Sequence, residues 1–247
     1  MRRAISNCIS SSVSSEPVFV GGALSRPLIV RRVASARRVR LAVDPRDGSV
    51  RLTLPRRGSE RAARQWVEAH RDWIEQQLAL LPQPRPIVAG GVIPFRGVET
   101  RIDWSPAHSR IVRLEGDRLL VGGPEEGIAR RVIAWTKREA LRQLEAETRE
   151  VAARAGVTVG RVSIGDPRAR WGSCSSSGNI RYAWRLILAP PFVLSSTVAH
   201  EVAHRLHMDH SPAFRAAEAR LLGTDPGPAR AWLRANGAGL YWIGCEG

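Results

Sequence analysis

The chain has 247 residues, enough for one large hydrophobic core or two modest ones. A hydrophobic content of 43% excludes general disorder, and no run approaches the roughly 18–20 consecutive apolar residues that span a bilayer, so no membrane partner is expected. The formal charge of +15 is almost wholly arginine, Lys137 being the one lysine among 38 basic residues; such a surplus favours phosphate backbones, which makes nucleic acid a candidate partner for the basic surface.

The opening MRRAISNCISSSVSSEPVFVGG is basic but has no continuous apolar core, so a secretory signal is not expected. Residues 1–26 read as a disordered extension. Cys8, Cys174 and Cys245 are odd in number and far apart, which argues against a disulfide framework and suits a reducing, cytoplasmic setting. From about Pro27 the chain is patterned. Arg38 to Val43 alternates, Asp44-Pro45-Arg46-Asp47-Gly48 is turn chemistry, and Val50, Leu52 and Leu54 alternate again, so a β-hairpin is predicted. Ser59 is placed to cap a helix running to about Leu80, with Trp66, Val67, His70, Trp73 and Ile74 at helical spacing. The prolines of Leu81-Pro82-Gln83-Pro84-Arg85-Pro86 end that helix.

Short strands are expected between about Val92 and Val121, stopped by Gly122-Gly123-Pro124, with His108 in a polar loop. A long helix is expected from Glu125 to about Ala155, with acidic residues at its start and Gly156 as C-cap. Val162 and Ile164 suggest a strand, and Arg170–Ser175 and Ile180–Leu188 suggest two more around a Ser-Ser-Gly turn. Pro190-Pro191 then opens a helix. The domain organisation expected is an extension over 1–26, a β-rich portion with one helix over 27–122, and a second domain over 123–240.

That last helix leads into HEVAHRLHMDH, which holds four of the six histidines. Residues four apart share a helix face, about 6 Å of rise apart, so His200 and His204 can present both imidazoles to one ion. Glu201 completes the HExxH arrangement, in which the glutamate stands beside the metal as general base. A tetrahedral site needs a third protein ligand. His207 lies about 300° around the helix from His204, on a neighbouring face. His210 is about 240° round and roughly 9 Å further along, and reaches the ion only if the helix breaks near Met208-Asp209. Glu218 on a following helix is the third candidate. The spacing to His210 also matches metzincins, but those have glycine where this chain has His207 and a downstream methionine turn, which this chain lacks.

The segment RWGSCSSSGNIRYAWRLILAPPFVLSSTVAHEVAHRLHMDHSPAF resembles the YgjP-like zinc metallopeptidases, relatives of the SprT-like proteases. The matching positions are Arg170–Ser175, Trp184–Pro191, His200–His204, His210-Ser211 and Phe214, and a weaker likeness extends over about 30–235. One departure is Arg215, where the family usually has tryptophan. The resemblance implies an α+β, zincin-like fold with a small mixed or antiparallel sheet, an active-site helix and an N-terminal β-rich portion. It implies Zn2+ held by His200, His204 and His210, with Glu201 catalytic, in an enzyme that hydrolyses peptide bonds of a peptide or protein substrate.

Arg170, Tyr182, Arg185 and His207 are candidate oxyanion donors. The Arg170–Ser175 strand is a candidate for pairing with substrate. Two further readings are a DNA-associated protease or accessory factor, favoured by the charge, and a zinc-binding module without catalysis, which an intact Glu201 argues against.

Overall fold

The structure is a computed structural model that describes residues 18–21 and 24–245. The chain divides into two compact units after Pro84. Each has its own core.

In the first unit, β1 (Val18–Gly21), β2 (Leu24–Val33), β3 (Arg40–Val43) and β4 (Val50–Pro55) form one sheet in the order β1-β2-β4-β3. The predicted hairpin is β3 and β4, antiparallel, with Val43 opposite Val50. β2 lies parallel to β4 on the other side. One sheet face carries Leu28, Val50, Leu52 and Leu54 into a core with Ala63, Val67, Ile74 and Leu78. Of the extension expected over 1–26, residues 1–17 lie outside the described residues, while 18–21 and 24–26 are strand.

The single helix expected here is two, α1 (Glu60–Ala69) and α2 (Arg71–Ala79), broken at His70. The Ser59 side chain caps α1 by accepting from the Ala62 amide at 3.3 Å. The break has a local cause. The His70 ring meets the Trp66 carbonyl at 2.8 Å, the group a continuous helix offers to the His70 amide, and that amide turns to Val67 instead.

The second unit runs from Arg85 to Cys245. β5 (Val92–Phe95), β6 (Val98–Trp104), β7 (Arg113–Glu115) and β8 (Arg118–Val121) form a sheet in the order β5-β6-β8-β7. α3 (Ile128–Ala155) follows, closed by Gly156 in the left-handed conformation at φ 67°. β9 (Val162–Gly165), β10 (Gly172–Cys174) and β11 (Ile180–Ala183) form a three-stranded sheet in the order β10-β11-β9, antiparallel then parallel. α4 (Pro191–Ala203), α5 (Pro212–Leu222) and α6 (Gly227–Asn236) complete the unit.

The domain boundary expected after residue 122 is displaced. The apolar faces of β5–β8, with Ile93, Ile102, Leu119 and Val121, share one core with Val132, Trp135 and Leu144 of α3 and with Val198 and Val202 of α4. The proline-rich connector, not the Gly-Gly-Pro turn, is where the units divide. The strand expected over Ile180–Leu188 ends at Ala183, and Trp184–Leu188 is a 3-10 turn. An alternating strand would set Arg185 and Ile187 on one face. The turn instead buries Trp184, Leu186, Ile187 and Leu188, while Arg185 pairs with Asp166. The α+β class is as expected. No helix among the described residues is long and apolar enough to cross a membrane.

Candidate metal centre

α4 is apolar on almost every side. Val193, Leu194, Val198, Ala199, Val202 and Ala203 are buried, so the helix is held firmly in the core and its register is fixed. The polar exceptions are therefore placed, not adrift. His200 and His204 stand one turn apart with ring centroids 5.1 Å from each other. Regular helix ends at Ala203. The Arg205 and Leu206 amides bond back to Val202 and Ala203, tightening the last turn.

The chain then reverses. Arg205 fastens the turn by donating to the carbonyls of Thr158 at 3.1 Å and Ser176 at 2.9 Å. Ser211 caps α5 by accepting from the Phe214 amide at 3.3 Å. Between these two anchors His210 comes back over the helix. Its Nε2 lies 3.3 Å from His200 Nε2, and its ring centroid is 4.9 Å from that of His204. One nitrogen from each of His200, His204 and His210 lies within 4.8 Å of the other two. Phe214 is fully buried and packs on all three rings, with centroids 4.6 to 5.0 Å away.

The outward nitrogens of two of these rings are engaged. His200 Nδ1 meets Glu218 Oε1 at 3.1 Å, and His204 Nδ1 meets the His207 carbonyl at 3.2 Å. A proton on Nδ1 of each ring satisfies those acceptors and leaves Nε2 as a lone pair facing the cluster. Lone pairs so gathered can bind a metal ion. The 3.3 Å between the two Nε2 atoms also fits the edge of a tetrahedron with metal–nitrogen bonds of about 2.0–2.1 Å. That one edge suits a zinc-sized ion.

Of the candidate third ligands, the structure brings His210 into the cluster. His207 contributes its carbonyl as a hydrogen-bond acceptor. Glu218 is buried on α5, shares one oxygen with His200 and gives the other to Arg230 of α6. Burial pushes the Glu218 carboxyl up, but the hydrogen bonds from His200 and Arg230 outweigh it and hold the group below the usual carboxylate range. Among the described residues, His70 and His108 form no part of the cluster.

Glu201 packs against Gly172 of β10. It is 4% exposed, and its Oε2 has no hydrogen-bond partner. Burial raises its pKa to about 7, against the lowering charges of His200 and Arg170. Gly172 is what makes room for it. A Cβ on Gly172 would stand 2.7 Å from Glu201 Cγ and Cδ. The glycine of RWGSCS thus follows from the carboxylate beneath it. Tyr182 and Arg185 are engaged elsewhere: the Tyr182 hydroxyl meets Thr148 at 3.0 Å in the core, and Arg185 pairs with Asp166 and donates to the Leu240 carbonyl. Arg215 is exposed.

A family model described as YgjP-like, metallopeptidase domain, matches residues 37–236. The chain belongs to the YgjP-like metallopeptidase family. The matched stretch includes the histidine cluster, Glu201 and Gly172. A metallopeptidase family implies a metal cofactor, and the three histidines can bind one. No curated protein and no solved structure matches the chain.

Sequence reasoning missed Arg230, Arg205 and the part Gly172 plays. Arg230 lies on a separate helix with nothing in its neighbourhood to mark it, and Arg205 looks like any surface arginine. Gly172 had a signal: a glycine between tryptophan and serine in a strand implies close approach of another group.

Proposed function

We propose that the protein is a zinc-dependent peptidase in which His200, His204 and His210 hold the ion and Glu201 is the general base. The observation that carries this is the convergence of three imidazole nitrogens beside a buried carboxylate with one oxygen unpartnered. Bound there, zinc would supply Lewis acidity, activating a water and polarising a peptide carbonyl. Glu201 takes a proton from the attacking water at its carboxylate and returns it to the leaving amine. A carboxyl pushed toward neutrality by burial suits both steps, since it neither holds nor releases the proton too firmly. Glu218, anchored by Arg230, orients the His200 ring and keeps its proton on Nδ1.

Substrate entry follows from the sheet. β10 pairs with β11 on one side, and its other edge is open among the described residues. An extended peptide that adds to this edge passes Gly172 and so reaches Glu201. Arg170, whose charge is felt by Glu201, and His207 remain as oxyanion donors.

A peptide-hydrolysis assay on zinc-loaded protein tests the reading. Activity should disappear on chelation, return with zinc, and fall by at least about 100-fold in Glu201→Gln. Equal activity in that variant rules out the assigned base. A zinc module without catalysis has no use for a buried general base. A DNA-associated protease or accessory factor is the second reading, favoured by the +15 charge.

A further inference from the structure

The first unit carries a feature that peptide hydrolysis does not use. Residues 27–69 hold eleven arginines and four acids. All four acids are already engaged: Asp44 with Arg46 and Arg51, Asp47 with Arg51, Glu60 with Arg64 and Arg32, and Glu68 with Arg71. What remains is uncompensated positive charge, and it is gathered. Arg31 and Arg40 both lie opposite Thr53, on the sheet face away from the core residue Leu52. Arg37 and Arg38 are in the loop that joins β2 to β3. Arg31, Arg37, Arg38 and Arg40 are all exposed.

Arg37, Arg38 and Arg40 line a cavity of about 830 Å³ together with Trp66 of α1. Trp66 is 37% exposed, although a tryptophan gains from burial, and its ring is backed by His70 with centroids 4.1 Å apart. Among the described residues, no acid lines the cavity.

We infer that this cavity binds single-stranded nucleic acid, with phosphates along Arg37, Arg38 and Arg40 and a base stacked on Trp66. A row of guanidinium groups without acids beside them is a polyanion site. The tryptophan selects among polyanions. A duplex keeps its base faces stacked, whereas a single strand can offer one to an exposed ring. Val33 and Val39, 38% and 36% exposed, also line the cavity, so anionic vesicles are a competing arm of the test. The inference is independent of the peptidase reading.

The test is fluorescence anisotropy of a labelled oligothymidylate of about 15 nucleotides with the full chain, from about 50 to 200 mM salt. Three variants accompany it: Arg37→Gln/Arg38→Gln/Arg40→Gln, Trp66→Leu, and Arg110→Gln/Arg130→Gln/Arg138→Gln as an equal-charge control on exposed residues elsewhere. The site predicts binding that weakens tenfold or more in the first triple variant, with the salt slope shallower by about 2. It predicts a fall of about fivefold or more in Trp66→Leu with the slope unchanged. The control should stay within about twofold of the parent, and a duplex of equal length should bind more weakly than the single strand. An equal loss in the control triple, an indifferent Trp66→Leu, a duplex bound as tightly, or anionic vesicles bound in place of the oligonucleotide would each overturn it. So would absence of binding at the lowest salt.

Discussion

Glu201 is held where a carboxylate is poorly solvated, and the metal-free protein should show it. The folded-state pKa is about 7 against 4.5 in the reference state, so the fold prefers the neutral acid. Below about pH 4.5 both states are protonated and the residue costs nothing. Between about pH 4.5 and 7 the unfolded chain ionises Glu201 while the fold keeps it protonated, so the folded protein loses up to about 3 kcal/mol relative to a residue that does not ionise, and the loss levels off above 7. Glu201→Gln in chelated protein should therefore gain in Tm relative to the parent as pH rises from 5 toward 8, and a gap that does not change with pH contradicts the assignment. Gly172→Ala is the second prediction at this scale. Its Cβ meets the Glu201 side chain, so the strand or the carboxylate must shift, at a cost of about 1–3 kcal/mol and with a loss of hydrolysis larger than that destabilisation explains. Denaturant unfolding and the peptide assay on one preparation check it, and an alanine variant of full activity would show that Glu201 does not need this packing.

At the scale of elements, the centre depends on a helix that stops and a chain that turns back. The pair His200 and His204 was legible because four-residue spacing is a local property of any helix. The return of His210 was not derivable from spacing. It depends on Arg205 reaching the Thr158 and Ser176 carbonyls, contacts from distant parts of the chain, together with the local Ser211 cap. Glu218 was legible as a nearby carboxylate but not as a partner of His200, since that needs Arg230 on another helix. Two variants test this frame. Ser211→Ala should cost about 1 kcal/mol and lower metal affinity, because it loosens the residue next to His210. Glu218→Ala should lower metal affinity by about 10–100-fold, and Glu218→Gln by less, since the amide oxygen can still accept from His200. Competition with a chromophoric chelator reads both, and an unchanged affinity in Glu218→Ala would show that His200 needs no such support.

Across the whole molecule, most elements followed from periodicity and the α+β class from patterning and resemblance together, while the division into units did not. Alternation in β5–β8 showed strands, but only packing reveals that Ile102 and Val121 share a core with Val132. The break at His70 was hidden for a similar reason: apolar spacing continues through it, and the ring's bond to Trp66 decides. The first unit has its own acid-sensitive point. Burial pushes the Asp44 carboxyl up, but hydrogen bonds from the Arg46 side chain and amide and the charges of Arg46 and Arg51 prevail and hold its pKa below normal. A depressed folded pKa gives stability that is present above about pH 4 and is lost as pH falls through the folded value. Asp44→Asn should therefore be destabilised by about 2–4 kcal/mol at pH 7, with the difference closing below pH 4 in denaturant titrations. A difference that does not narrow as pH falls below 4 contradicts the ion-pair account.

The most direct test of the centre is the zinc content of purified protein, measured side by side for the parent, His207→Ala, His210→Ala and Glu201→Gln. Close to one zinc per chain is expected in the parent, His207→Ala and Glu201→Gln, with loss in His210→Ala. Zinc retained without His210 but lost without His207, or absent from the parent after refolding with the metal, would contradict the three-histidine site.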